Sequence, residues 1–433
     1  MRLPHEGRRM GGSGLDHVLD SLRSRLAAYE DTGDPSDIFS DAATADAALL
    51  VDAVRDRVST GLSGRWDDVA LAAAGRLHWK RHLTVLPSDS VHDEAAAVLF
   101  ARPFLRDRSL VPEVLWSHLP GQTPNTPSID LVEMSAEEIA DLAESAVGKE
   151  PELAERLVLP LRVAATMLPA RHPGRPPVLS ALAIVHSLLY RDERGPADAL
   201  DAAIEAATAA ATSMPDDWSG RAVLLSRMGM FLWERYKRDG GEADLEASET
   251  AHRAAVEACA QGDPARPGCL HNLAVTLLSR YELTPEPAIL TAAIDTAREA
   301  VTTTDPTRAV ALLHAVSLAS GLRLHFDRTG DPAALAEAEK ALTTVLDGAA
   351  EDNPYLPLVW SRLGDLPRGR FVRDGKAADR EAALAWYRKV LDAVPEGDRL
   401  HAAVAAAVAG LSANPPRPDE PRRSRRWRWL SAG

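Results

Sequence analysis

Four aromatic residues recur at a constant spacing in the second half of the chain. Tyr236, Tyr281, Phe326 and Phe371 lie 45 residues apart. Each follows a basic or imidazole side chain, namely Arg235, Arg280, His325 and Arg370, and a small residue stands twelve positions after each aromatic. A fixed period of this size is typical of helical repeats, which bury their apolar faces against their neighbours. The period therefore predicts an all-α fold, an α-solenoid of antiparallel helix pairs.

The composition agrees with a helical array. Hydrophobic residues make up 45% of the chain but aromatic residues only 5%, and alanine-rich helices can pack closely. Alternating runs of β-branched and aromatic residues, which predict strands, are scarce. A length of 433 residues suits a repeat array, because such an array is not limited by the size of one core.

Charge and terminal sequence exclude several classes of function. The net charge of −14 argues against nucleic-acid binding, because duplex contacts need a basic face. The chain has neither the apolar core of a signal peptide nor an apolar run long enough to span a bilayer, so a cytoplasmic protein is expected. Two cysteines are too few for a disulfide framework or a structural zinc site, and we expect no cofactor or metal.

The sequence divides into five segments. We expect a disordered N-terminus at 1–14, divergent helical repeats at 15–118, an irregular proline-rich linker at 119–135, a repeat array at 136–411, and a disordered Arg/Trp-rich tail at 412–433. The phrase Tyr29-Glu-Asp-Thr-Gly-Asp-Pro35 recurs almost unchanged as Phe326-Asp-Arg-Thr-Gly-Asp-Pro332. The N-terminal segment is therefore interpreted as a divergent copy of the same unit, with Gly33 ending its first helix.

A short motif upstream of the aromatics carries a family resemblance. Trp360-Ser-Arg-Leu363-Gly364 matches the W-x2-L-G opening of the tetratricopeptide repeat, and Met228-Gly229, Leu273-Ala274 and Leu318-Ala319 occupy the same register. Residues 178–411 thus resemble tetratricopeptide repeats with a longer unit. Pro367 stands where the family prefers tyrosine, which predicts a kinked or broken helix.

The resemblance implies a protein-binding function. The long-loop unit is similar to arrays that accompany CHAT protease domains or other effector modules in high-GC bacteria, which implies a separately encoded effector or protease as partner. Both cysteines lie in predicted repeat helices, so a His–Cys protease domain is not expected in this chain.

In tetratricopeptide proteins, polar residues on the first helix of each repeat bind extended peptides or C-terminal carboxylates. Arginine can bind a carboxylate with two parallel hydrogen bonds, and asparagine can hold a peptide backbone. The same positions give the candidate partner-binding residues Arg227, Met230, His271, Asn272, Ser317, Ser320, Arg362 and Asp365. The alternative is a solvated helix face without a ligand.

Other polar features have simpler interpretations. The basic residues before the aromatics are expected to stabilise helix C-termini and to pair with acids such as Asp331 or Glu337. His78 and His82 have helical spacing, but Lys80 and Arg81 between them disfavour a metal. The pairs His314 with His325 and His252 with His271 are judged too dispersed to cluster. The tail from Arg417 to Trp429 could contact anionic membranes weakly, dock a partner, or only aid solubility.

The sequence therefore predicts a non-catalytic scaffold or adaptor whose concave face binds a partner protein or peptide. One alternative is a regulatory protein that senses a small ligand or peptide. A third interpretation is an enzyme with a site in the N-terminal half that would join His78, His82 and Asp67.

Overall fold

The computed structural model describes residues 12–62, 64–85, 91–119, 138, 141, 151–191, 196–215 and 217–412. Their contacts form two compact units, one ending at Gly220 and the other beginning at Arg221. Every regular element in these ranges is a helix, as the period predicts. Among the helices described, none combines the length and apolar character needed to cross a bilayer.

The N-terminal unit is built from helices that pack mainly against their neighbours in sequence. Its α-helices are α1 (Gly12–Thr32), α2 (Asp41–Ser59), α3 (Arg65–Thr84), α4 (Val91–Arg106), α5 (Pro151–Met167), α6 (Arg175–Arg191) and α7 (Ala199–Ser213), with 3-10 turns at Arg108–Leu110 and Glu113–His118. Leu22, Leu50, Leu71 and Phe100 are fully buried in it, and they come from the four helices α1 to α4.

Between Arg221 and Ser412 the C-terminal unit contains four helix pairs followed by a single helix. Its members are α8 (Arg221–Asp239), α9 (Glu242–Ala258), α10 (Arg266–Leu283), α11 (Pro287–Thr303), α12 (Ala311–Thr329), α13 (Pro332–Asp347), α14 (Leu356–Asp374), α15 (Ala377–Ala393) and α16 (Arg399–Ser412). We call α8, α10, α12 and α14 the first helices and α9, α11, α13 and α15 the second helices.

The stack is tighter on the side of the first helices. Each first helix packs against the next first helix, whereas no pair of second helices packs to the same extent. Closer approach of the backbones on one side bends a stack toward that side. Within the C-terminal unit the first helices therefore line the inner face.

The repeating aromatic residues are packing residues. Phe326 and Phe371 are buried, and Tyr236 and Tyr281 are half-buried. The side chain of Arg235 lies 2.6 Å from the Asp244 carboxylate, and Arg370 lies 2.7 Å from Asp379.

The basic residues that precede the repeating aromatics were predicted to pair with acids such as Asp331 or Glu337, and for these two acids the prediction was wrong. Asp331 instead caps α13, and Glu337 binds Arg298. In the pairs of Arg235 and Arg370, the acid lies in the first turn of the following second helix and ties the two helices of one repeat together. Arg280 instead lies 3.2 Å from Glu246 on α9, the second helix of the preceding repeat.

The repeated Thr-Gly-Asp-Pro phrase folds in the same way in both units. Gly33 and Gly330 have φ values of 71° and 75°, and their N–H groups donate to the carbonyls of Tyr29 and Phe326 at 2.8 and 2.7 Å. The next residue, Asp34 or Asp331, accepts from the N–H two positions later. Glycine adopts this left-handed conformation without a Cβ penalty, so the predicted helix end at Gly33 is confirmed.

The small residue of the W-x2-L-G motif allows a ring from the second helix to approach. A Cβ on Gly364 would lie 2.6 Å from the Tyr387 ring, and one on Gly229 would lie 2.5 Å from the His252 ring. The repeats with Ala274 and Ala319 carry Ala297 and Leu342 at the corresponding positions of their second helices. Where the first helix carries glycine and so lacks a side chain, an aromatic ring from the second helix fills the space.

Pro367 does not break its helix. Helix α14 continues from Leu356 to Asp374 with Pro367 inside it. Leu363, Leu366 and Pro367 are all buried, and packing of a buried face outweighs the loss of one backbone hydrogen bond.

Some predicted segment boundaries differ from the observed ones. Residues 12–14 are helical in α1, although disorder was predicted through residue 14. The two units meet between Gly220 and Arg221. The predicted linker at 119–135 falls outside the described residues except for Leu119, and it stays a prediction. The predicted tail lies outside them beyond Ser412.

Candidate partner-binding face

The eight predicted partner-binding residues all lie on the first helices of the C-terminal unit. Arg227 and Met230 are on α8, His271 and Asn272 on α10, Ser317 and Ser320 on α12, and Arg362 and Asp365 on α14. We call this surface the first-helix face.

Three of these side chains form hydrogen bonds across neighbouring first helices. Asn272 Nδ2 donates to Ser226 Oγ at 3.0 Å, and Ser317 Oγ lies 3.1 Å from His271 Nδ1. Both pairs are separated by 46 residues, one repeat plus one position. Trp233 Nε1 donates to Ser279 Oγ at 2.9 Å with the same separation. These groups therefore join successive repeats, a role that the sequence analysis missed.

The same connection is absent at Arg362. The residue 46 positions before it is Val316, which has no polar atom in its side chain. Arg362 instead donates from Nη1 to Asp365 Oδ2 in its own helix at 3.2 Å. Only 7% of Arg362 is exposed, and its Nε is buried without a hydrogen-bond partner in the described part of the chain. A guanidinium has five N–H donors, so most of its hydrogen-bonding capacity is uncommitted here.

Asp365 is the centre of a polar cluster on the last first helix. Its Oδ1 accepts from Tyr387 Oη at 2.7 Å and lies 3.4 Å from Arg368 Nη1. Burial, with the Asp365 charge as a further cause, raises the pKa of Tyr387, so the phenol stays protonated and donates. We call Arg362, Asp365, Arg368 and Tyr387 the α14 cluster. Its formal charge of +1 makes it suitable for an acidic group.

The remaining predicted residues have individual surroundings. Arg227 and Met230 are half-buried, and Ser320 Oγ donates to the Val316 carbonyl of its own helix at 2.7 Å. The predicted residues therefore do not form one continuous hydrogen-bonding row. His271 and Asn272 on α10 and Ser317 on α12 form hydrogen bonds between repeats. Arg362 on α14 keeps a buried N–H donor that has no partner in the described part of the chain.

The rings of His271 and His314, which were not paired in the sequence analysis, have centroids 4.9 Å apart. His314 Nδ1 lies 2.7 Å from Thr304 Oγ1, and the ring of His252 lies between Ser226 O at 3.1 Å and Thr276 Oγ1 at 2.9 Å.

Burial lowers the pKa of His252 to about 4, and it lowers that of His271 to about 3, with His314 as a further cause. Burial and the Arg308 charge lower the pKa of His314 to about 4. These rings are therefore neutral near pH 7. The separation of His271 and His314 by nearly one period was the signal available in the sequence.

The candidate residues of the N-terminal unit do not converge on one site. His78 Nδ1 lies 3.1 Å from His92 Nδ1, whereas the ring of His82 stacks on Trp79. Asp67 lies eleven residues before His78 on α3, about 16 Å along the helix, and it is held by Arg57 at 2.6 Å. The described residues contain no cluster of three or more potential metal ligands.

No protein-family model and no curated protein matches the sequence. Among solved structures, the chain is similar to one titled "Functional Characterization of Pseudomonas Aeruginosa pilF". The sequence identity is 16%, the TM-score is 0.41, and the alignment covers 63% of this chain and 97% of that chain. A likeness at that TM-score does not identify a shared function. The antiparallel helix pairs, stacked at a 45-residue period, make this chain an α-solenoid.

Proposed function

We propose that this α-solenoid is a non-catalytic interaction scaffold that binds a partner protein or peptide through the first-helix face. The proposed face comprises the eight residues named above, and the α14 cluster is its main point of attachment. The observation that carries the proposal is the Arg362 guanidinium, which is buried and makes one hydrogen bond among the residues that the structure describes.

The chemistry of Arg362 indicates what kind of group it holds. A buried cationic donor without a partner costs free energy, since its hydration is lost and not replaced. An acceptor supplied by a ligand would recover that cost. Hydrogen bonds between a guanidinium and a carboxylate are among the strongest available, because both partners are charged and their geometries match.

The partner is therefore proposed to present an acidic side chain or a C-terminal carboxylate. Asp365 does not repel this group strongly, because its own charge is already balanced by Arg362 and Arg368. A separately encoded effector or protease is the proposed source of the acidic segment.

The test uses the full chain as bait and compares it with Arg362→Gln, which removes the charge and leaves a shorter polar side chain. Arg328→Gln is the matched control, because Arg328 is an exposed arginine at the end of α12 outside the α14 cluster. A partner enriched by the intact chain should bind Arg362→Gln about tenfold more weakly, measured with the purified pair by calorimetry. It should bind the control with unchanged affinity.

Equal affinity of the two variants for the partner would remove the α14 cluster from the proposal. Thermal unfolding of each variant shows whether a loss of binding reflects a loss of the fold. Amidating the partner's C-terminus, or replacing its acidic residues, then identifies which carboxylate is recognised.

A further inference from the structure

The two cysteines of the chain lie in contact with each other. Cys259 directly follows helix α9, and Cys269 lies in the first turn of α10. Their Sγ atoms are 3.8 Å apart, and the residues are 6% and 3% exposed. The sequence contains no other cysteine, so each thiol has one possible disulfide partner within the molecule, and that partner is its neighbour.

The repeat itself brings these two positions together. One period of 45 residues later, the same positions hold Thr304 and His314, and Thr304 Oγ1 lies 2.7 Å from His314 Nδ1. Both pairs span the connection from a second helix to the next first helix. Contact between these positions therefore follows from the geometry of the array, and the connection between α9 and α10 places two thiols there.

Backbone hydrogen bonds hold both cysteines at the ends of a short loop. Cys259 N donates to Val256 O at 3.3 Å, and Cys269 N donates to Ala265 O at 3.1 Å. Within the loop, the Asp263 side chain accepts from Ala265 N at 2.8 Å. A disulfide bond is about 2.0 Å long, so the sulfurs must close by about 1.8 Å. Groups held this near each other react as if each were at high concentration.

Both sulfurs are protonated near pH 7. Burial raises the pKa of the Cys259 thiol to about 12, with Cys269 as a further cause, and burial also raises the pKa of Cys269. Because the thiolate is the reactive form, the pair should be oxidised slowly and faster at alkaline pH. Cys259 lies between the exposed residues Ala258 and Ala260, so an oxidant should reach its sulfur first.

We propose that Cys259 and Cys269 are a modification site, where a low-molecular-weight disulfide converts the two thiols into a reversible intramolecular disulfide. Cys259 Sγ loses its proton and bonds to one sulfur of the reagent, whose S–S bond breaks. Cys269 Sγ, also deprotonated, then bonds to Cys259 Sγ and displaces the attached half of the reagent. The two released thiolates take up the two protons, so two protein thiols are oxidised and one small disulfide is reduced to two thiols.

The new bond would link α9 to α10 and thereby crosslink the first two repeats of the C-terminal unit. A crosslink stabilises a fold when its two sulfurs are closer in the folded chain than in the unfolded chain. The site is separate from the first-helix residues named above, and the proposal does not depend on the proposed scaffold function.

The test equilibrates the full chain at mildly alkaline pH with mixtures of bis(2-hydroxyethyl) disulfide and 2-mercaptoethanol. After acid quenching and alkylation, peptide mass spectrometry measures the thiol, mixed-disulfide and Cys259–Cys269 forms. Their ratio gives the effective concentration of one thiol at the other, and the same titration in concentrated urea gives its value in the unfolded chain.

We expect the effective concentration to be at least about tenfold higher in the folded chain than in urea. The oxidised protein should unfold at a higher temperature than the reduced protein, and excess 2-mercaptoethanol should reverse this rise. Cys259→Ala and Cys269→Ala are the matched controls. Each keeps one thiol, so each should form only a mixed disulfide and show no rise in its unfolding temperature.

Any of three results would overturn the proposal. One is an effective concentration in the folded chain that is no higher than in urea. Another is that mixed disulfides, or disulfides between two molecules, are the main products of the folded chain. The third is that the single-cysteine variants gain the same rise in unfolding temperature, since the reagent and not the bond would then be its cause.

Discussion

At the scale of single residues, glycine and ring positions are complementary between the two helices of a repeat. Gly364 faces Tyr387, and Gly229 faces His252, at distances that leave no room for a Cβ. A glycine inside a helix normally costs up to about 1 kcal/mol relative to alanine. At these two positions the close ring outweighs that cost.

Gly364→Ala should therefore destabilise the protein by about 1–3 kcal/mol, because the Cβ would force the Tyr387 ring or the backbone of α14 to move. The measurement is the free energy of unfolding from urea titration. Gly369→Ala is the matched control in the same helix, since its Cβ would meet Phe326 at an ordinary 3.7 Å. The control should be neutral or stabilising, and a stabilising Gly364→Ala would contradict the packing described here.

The hydrogen-bond partners of single side chains were the feature that the sequence predicted least well. The position of each predicted face residue followed from the period, but its partner did not. A hydrogen bond offset by one period plus one residue, as from Asn272 to Ser226, depends on how far one helix slides along the next. That offset depends on how the first helices pack against each other along their whole length. No local sequence pattern indicates it.

At the scale of elements, the loop from each first helix to its second helix differs in how well it is capped. Asp331 accepts a hydrogen bond from Ala333 N at 3.0 Å and caps α13. The equivalent positions before α9, α11 and α15 are Gly241, Glu286 and Lys376, which provide no side-chain cap.

Asp331→Ala should lower the free energy of unfolding by about 1 kcal/mol, because the first turn of α13 loses its acceptor. Asp331→Asn keeps a side-chain oxygen in the same place and should retain most of the stability. Urea titration of both variants distinguishes them. If Asn and Ala reduced stability equally, the loss of the carboxylate charge and not the cap would be the cause.

Helix ends were predicted well where the sequence has a glycine that terminates the helix. The Thr-Gly-Asp-Pro phrase fixed the helix ends at Gly33 and Gly330 because only glycine adopts that φ freely. The break predicted as one possibility at Pro367 does not occur, because burial of Leu363 and Leu366 holds α14 together through the proline.

At the scale of the whole molecule, buried neutral histidines make stability depend on pH. The pKa values of His252 and His314 in the folded protein, both about 4, lie below the value of about 6.5 expected in the unfolded chain. The unfolded chain then binds more protons as the pH falls below 6.5, so the folded state loses stability. The loss grows until the pH reaches the folded values.

Between pH 7 and pH 5.5, each of these two histidines should lower the free energy of unfolding by on the order of 1 kcal/mol. Urea titrations at the two pH values measure the difference. His252→Asn and His314→Asn should each reduce the pH dependence, whatever their effect on stability at pH 7. His17→Asn, at an exposed position of α1, should leave it unchanged. A pH dependence that is the same in all four proteins would exclude this origin.

The arrangement of hydrogen bonds along the first helices has a mechanical consequence for residues 221–412. Short side chains and close backbones connect the first helices, whereas the second helices α11 and α13 are joined by the long, half-exposed pair Arg298 and Glu337. When the array bends, the second helices should move apart more easily than the first helices. The spacing between first helices is therefore the stiff dimension of the array. A ligand that binds the first helices would therefore meet polar groups at a constant spacing, one repeat apart. Its own polar groups would have to match that spacing.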